Sequence, residues 1–143
     1  MGDIILPVTL TTAAGLALIN LWLQMRIGKV RSASKIFVGD GGDERVIRRM
    51  RAQANLVENA PFVWALIAVI ELARGTSTWL WAVGGLFLLA RVAHPFGMDG
   101  WKLGRPIGTG ITMLLLAGLA VYAAYLGWQG QPHLTRLVLT PSS

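Results

Sequence analysis

Cysteine is missing from this chain of 143 residues. Its absence excludes a disulfide framework, a cysteine nucleophile and a thiolate-ligated metal. Any thiol chemistry must therefore use a sulfur that arrives with a ligand. The two histidines, His94 and His133, lie too far apart in sequence to suggest a metal site. Charge is also scarce. Asp, Glu, Lys and Arg make up 14% of the chain while 54% is hydrophobic, whereas a soluble domain carries about 25% charged residues. The charges that remain are clustered, leaving Ile4 to Met25, Gly75 to Ala90 and Pro106 to Thr135 without any. A membrane crossing needs about 20 mostly apolar residues, so the chain reads as an integral membrane protein. The start is acidic (Asp3) and no small-x-small cleavage site follows, so the first apolar run is expected to stay as a helix. The net charge of +6 is not a nucleic-acid signal, because the basic residues concentrate beside the apolar runs.

Four transmembrane helices are predicted, over about residues 4–26, 44–73, 78–96 and 106–128 of one all-α domain. Pro7 falls in a first turn, where a missing N–H is harmless. The connection IGKVRSASKIFVGDGGDE has turn chemistry in its GDGGD core, but not the spacing of a phosphate-binding loop. Asp43 and Glu44 suit a helix N-terminus. Pro95 and Gly97 are expected to end or bend helix 3, and the tail QGQPHLTRLVLTPSS is too short and mixed for another span. Seven basic residues between Gly28 and Arg51, with Arg91, Lys102 and Arg105 around the helix 3–4 connection, put both polar loops in the cytoplasm and both termini outside. The tryptophans mostly fall near predicted helix ends as interfacial anchors. Gly84, Gly85, Gly108 and Gly110 are expected to allow close helix packing.

The informative stretch is ERVIRRMRAQANLVENAP, Glu44 to Pro61, which runs straight into FVWALIAVI. At 100° per residue, Arg48, Arg51, Asn55 and Glu58 span about 80° of one helix face, and Glu44 and Asn59 widen it to about 100°. Such a stripe must face protein or a water-filled cavity, because polar side chains are costly in lipid. One reading is structural: Arg51 or Arg91 pairs with Glu58 and fixes helix register. Another is a site for a zwitterionic, peptide-like ligand, with guanidinium forks for carboxylates, Glu58 for an ammonium and Asn55 for a peptide group. A third is a channel or transporter path, for which helices 1 and 4 offer little beyond Asn20, Gln24 and some hydroxyls.

The same stretch resembles the signature of the MAPEG family, membrane-associated proteins in eicosanoid and glutathione metabolism. The family pattern is E-R-x-x-R-A-x-x-N-x-x-E-N/Y-x-P, with a register ambiguity here between Arg48 and Arg51. ARVAHPFGM resembles the end of the family's third helix, RPIGTGIT resembles the start of its fourth, and GDGG is typical of bacterial members. The resemblance covers essentially the whole chain. It implies a homotrimer in the bacterial inner membrane, with glutathione as co-substrate at subunit interfaces near the cytosolic side. By matching position Arg51, Asn55, Glu58 and Asn59 would hold the tripeptide, with Arg48 the other reading of the motif arginine. Lys29 or Arg31, with Arg26 a lesser candidate, would reach in from a neighbouring subunit. Arg91 and His94 would lie at the end of helix 3, and Arg105 would stabilise the thiolate.

A free cysteine-type thiol has a pKa of about 8.5, so the last role is physically demanding. A guanidinium about 4 Å from the sulfur contributes roughly 4 kcal/mol at an effective dielectric of 20, before desolvation opposes it. At about 1.4 kcal/mol per pKa unit, a drop of about one to two follows. Three positions depart from the leukotriene-synthase-like branch. His94 and Met98 stand where that branch has tyrosines, and Asn59 matches the microsomal glutathione transferase branch instead. The resemblance thus points to a general transferase or peroxidase for lipophilic electrophiles, with a non-catalytic lipid- or partner-binding scaffold as the alternative. His94 would either hydrogen-bond the ligand or cap helix 3 before Pro95.

Overall fold

Apolar runs separated by short polar turns place the chain's helices in antiparallel succession. The computed structural model describes residues 5–139, with side chains described through residue 130. Among the described residues there are four helices and no strand: α1 Pro7–Ser34, α2 Glu44–Arg74, α3 Thr78–Met98 and α4 Gly104–Leu139. Each contains a segment long and apolar enough to cross a membrane. The most extensive packing is α3 on α4, followed by α1 on α2; α2 and α3 also touch each other and every other helix, whereas α1 and α4 do not meet among the described residues.

Leu23, Leu56, Val63, Ile67, Ile70, Leu80, Phe87 and Leu119 form the buried core between the helices. The outward faces are as apolar as the core, with Leu10, Leu18, Leu114, Val121 and Trp128 more than half exposed. That pattern fits a lipid solvent, in which burying apolar side chains gives helices no reason to associate and close packing must hold them together.

α1 runs eight residues beyond its predicted end. The charges at Arg26, Lys29 and Arg31 interrupt the apolar run, yet Ile19, Leu23, Ile27 and Val30 keep the helical period and are all buried. The helix stops at Lys35, whose backbone is left-handed with φ 55°. In the following loop the N–H of Gly42 donates to Asp40 Oδ1 at 2.9 Å, and Gly41 and Gly42 take positive φ. Asp43 then caps α2 by accepting from the N–H of Arg45 at 2.9 Å. Hydrogen bonds from the Arg45 guanidinium and the Ser34 hydroxyl hold its carboxyl below the usual carboxylate range.

α2 continues through Pro61 to Arg74. Near its end lies a buried carboxylate, Glu71, that serves α1. α1 has no side-chain cap of its own at Leu6; Glu71 instead accepts from the N–H groups of Val8 (3.1 Å) and Thr9 (2.8 Å) and from the hydroxyls of Thr9 (2.7 Å) and Thr76 (2.8 Å). An anion there satisfies donors that a helix N-terminus leaves open and complements its dipole.

Pro95 does not end α3, which runs on to Met98, and α4 begins two residues earlier than predicted, at Gly104. α4 also stays helical to Leu139, eleven residues past the predicted end. Fading apolar character marks the limit of a span, not of a helix. Of the four glycines expected at packing contacts, Gly84 lies against Thr12 and Gly108 against the Ala90 carbonyl, whereas Gly85 and Gly110 face open space within the subunit.

Candidate functional site

The close approach of α3 and α4 creates the site. A Cβ on Gly104 would come 2.7 Å from the Ala93 carbonyl oxygen, and one on Gly108 would come 2.7 Å from that of Ala90. A Cβ on Gly97 would collide with the backbone of Gly104 and Arg105. Glycine at all three positions lets the first turn of α4 lie directly on the last turns of α3. The chain reverses there through a turn closed by Asp99 N–H to Pro95 O (3.1 Å) and Trp101 N–H to Phe96 O (3.1 Å). Asp99 anchors that turn to the other helices. It pairs with Arg26 of α1 and lies 3.9 Å from Arg49 Nε of α2, while Arg49 Nη1 donates to the Arg26 carbonyl at 2.9 Å.

Between this turn and α2 is a cavity of about 590 Å³, within the roughly 300–1,000 Å³ usual for small-molecule sites. α2 contributes Arg51, Asn55 and Glu58; α3 contributes His94, Gly97 and Met98; the turn contributes Lys102; and α4 contributes Arg105, Pro106 and Thr109. Three cations thus face one carboxylate. Among the described residues none of these four charges forms an ion pair within the subunit, which removes the register-fixing pairs that Arg51 or Arg91 might have made with Glu58. Arg91 is 2% exposed and stands behind the wall. It donates to Asn55 Oδ1 at 2.8 Å and to the Gly108 carbonyl at 2.6 Å, which also accepts from the Thr112 hydroxyl. Arg91 therefore orients Asn55 and does not line the cavity.

Five of the predicted residues, Arg51, Asn55, Glu58, His94 and Arg105, thus come together from three helices. His94 lines the cavity, and since α3 runs past it, a helix-capping role is excluded. Of the other predicted residues, Arg48 and Asn59 do not line this cavity, and Lys29 and Arg31, expected to reach in from a neighbouring subunit, lie away from it in their own chain. Asn59 turns back along α2, its amide donating to the Asn55 carbonyl at 2.8 Å. Arg48 leans outward onto Glu44 at 2.5 Å and borders a separate cleft of about 260 Å³ with Arg45, Arg49 and Asp99. Lys29 is exposed, and Arg31 donates to the Phe37 carbonyl at 3.2 Å. Neither reaches the cavity of its own chain, because the extended α1 carries both away from α4.

Sequence reasoning missed Lys102, Thr109 and Asp99. Lys102 and Arg105 are three residues apart around the start of a helix, a spacing that brings side chains together, and that was the available signal.

The sequence model of the MAPEG family matches residues 9–125. The chain belongs to the MAPEG family. It is also similar to the protein named inner membrane protein YecN of Escherichia coli, in strain K12 and in strain O6:H1. Each is 25% identical over 118 residues, covering 79% of this chain and 88% of the relative. Arg51, Asn55, Glu58, His94 and Arg105 all lie inside the matched MAPEG segment.

Proposed function

We propose that this MAPEG protein binds glutathione in the α2–α3–α4 cavity and uses its thiolate against lipophilic electrophiles, as a transferase or a peroxidase. The family includes glutathione transferases and non-catalytic members. The observation that carries the enzymatic reading is the convergence of Arg51, Asn55, Glu58 and Arg105 on one cavity, where the three charged side chains form no ion pair among the described residues. An apolar membrane interior tolerates such a set only where it is satisfied by ligand, water or protein. A scaffold has no use for an unpaired guanidinium lining a polar cavity.

In this reading Glu58 takes the ligand's ammonium, Asn55 its peptide group and Arg51 a carboxylate. Arg105 lies beside the sulfur. A guanidinium keeps its proton, so it acts as a fixed positive charge that favours thiolate over thiol and not as a base. In conjugation the sulfur lone pair forms the S–C bond while the leaving group departs with the electrons of the bond that breaks. The electrophile reaches the sulfur from lipid. We place the chain in the bacterial inner membrane, as the name of its Escherichia coli relative supports, with both polar loops cytoplasmic. We take the working form as a homotrimer, in which Lys29 or Arg31 would approach a neighbour's cavity, Lys29 being exposed on α1 and Arg31 having to leave the Phe37 carbonyl.

The test is a titration of the detergent-purified protein with glutathione at neutral pH, read by thiolate ultraviolet absorbance, with Arg105→Ala in parallel. Thiolate in the wild type and none in the variant is the expected result. Binding without thiolate points to a non-catalytic member, and no binding refutes the glutathione assignment.

A further inference from the structure

The charges that line the cavity can be matched one for one with those of the proposed ligand. Glutathione in its thiolate form has three negative groups, two carboxylates and the sulfur, and one ammonium. The cavity offers Glu58 for the ammonium and three cations: Arg51, Arg105 and Lys102. Without Lys102, one carboxylate has no cationic partner from this subunit. Arg91, which donates to a lining residue, is committed to Asn55 and the Gly108 carbonyl.

The turn that carries Lys102 is held from several sides. Asp99 ties it to Arg26 and Arg49. Beyond Lys102, the N–H of Gly104 bonds to the Trp101 carbonyl at 3.0 Å, and that of Ile107 to the Leu103 carbonyl at 3.0 Å. The lysine therefore projects from a backbone fixed to all three helices around it, three residues before Arg105, and both side chains line the same cavity. Resting on the glutathione reading, we infer that Lys102 is the third cation of the site and pairs with one of the ligand's two carboxylates. The cavity thereby selects thiols that carry two carboxylates and an ammonium over thiols that carry fewer charges.

The experiment measures equilibrium binding to the full-length protein in detergent, comparing wild type, Lys102→Met and the loop control Lys35→Met. Three ligands are used: glutathione, its glycine ethyl ester, and the analogue in which the α-carboxylate of the glutamyl unit is replaced by hydrogen. Lys102→Met is expected to weaken glutathione by about fivefold, more at low salt, as for a solvent-accessible charge pair. For one of the two analogues, the one lacking the carboxylate that Lys102 holds, wild type and Lys102→Met should bind alike. The inference is overturned if Lys102→Met binds all three ligands as the wild type does. It is also overturned if the variant weakens all three equally, which marks a structural effect. In both cases glutathione binding by the wild type leaves the functional reading intact. If the wild type binds no ligand, that reading falls and the role of Lys102 falls with it.

Discussion

Adding one methyl group at Gly97 should uncouple the chemistry from the fold. An alanine Cβ there would overlap the backbone nitrogen of Arg105, the nearest atom, and would meet the carbonyl carbon of Gly104 at 2.5 Å and the Cα of Arg105 at 2.7 Å, whereas ordinary contact begins at 3.4 Å. These are backbone atoms with no rotamer to turn aside, so the first turn of α4 must retreat by about 1.5 Å to bring the Arg105 nitrogen to that distance. Overpacking of this kind costs about 1–3 kcal/mol, offset by about 1 kcal/mol from replacing a helical glycine by alanine. The protein should therefore still fold. The effect on Arg105 is larger in consequence. At an effective dielectric of about 20, moving a guanidinium from about 4 Å to about 5.5 Å from a sulfur loses roughly 1.1 kcal/mol of attraction, which is about sevenfold in the thiolate equilibrium. Misplacement by about 1 Å can cost up to about a hundredfold in rate. The assay pairs thiolate absorbance at saturating glutathione with thermal melting. Gly110→Ala is the control, because its Cβ would meet nothing within 4 Å. Reduced thiolate in Gly97→Ala alone is expected. Wild-type thiolate together with a melting temperature equal to that of Gly110→Ala would refute the proposed link between close packing and the position of Arg105.

Two further perturbations test the polar groups behind the site. Glu71→Ala should destabilise the protein by at least about 3 kcal/mol, because it leaves two N–H groups and the Thr9 hydroxyl at the α1 N-terminus, and the Thr76 hydroxyl in the α2–α3 link, without their acceptor; melting in detergent measures this, and a loss under about 1 kcal/mol would show that the carboxylate is dispensable as a cap. Arg91→Lys should weaken glutathione binding although Arg91 does not line the cavity, since it frees Asn55 to rotate. In an Asn55→Ala background the same change should have little further effect on the dissociation constant, and additive losses would mean that Arg91 acts by another route.

The parts of the site that could be read from the sequence are those that repeat on one helix. Arg51, Asn55 and Glu58 follow each other at spacings of four and three, so helical geometry alone puts them on one face, and lipid forbids that face to point outward. The same logic over-reached at its two ends. Arg48 and Asn59 lie within the same angular sector, but each finds a partner on α2 itself, Glu44 for one and the Asn55 carbonyl for the other. Angular position says which way a side chain sets out and not where its polar atoms end. α1 was misjudged for a related reason. Its charges mark where the helix meets a polar environment, while the buried positions of Ile27 and Val30 show that the helix continues.

Glu71 and Lys102 were hidden because their meaning comes from other helices. Glu71 lies one turn from the end of a span, where a charge ordinarily marks an interface, and the N–H groups it satisfies are 62 and 63 residues away in the chain. Lys102 reads as one more loop cation contributing to topology. It becomes part of a cavity because three glycines let α4 fold back onto α3, and because Asp99 fixes the turn against α1 and α2. Depth in the membrane can be estimated from hydropathy and facing from periodicity. What a residue meets across a cavity depends on how closely two helices approach, and in this chain that approach is limited at Gly97, Gly104 and Gly108 by single methyl groups.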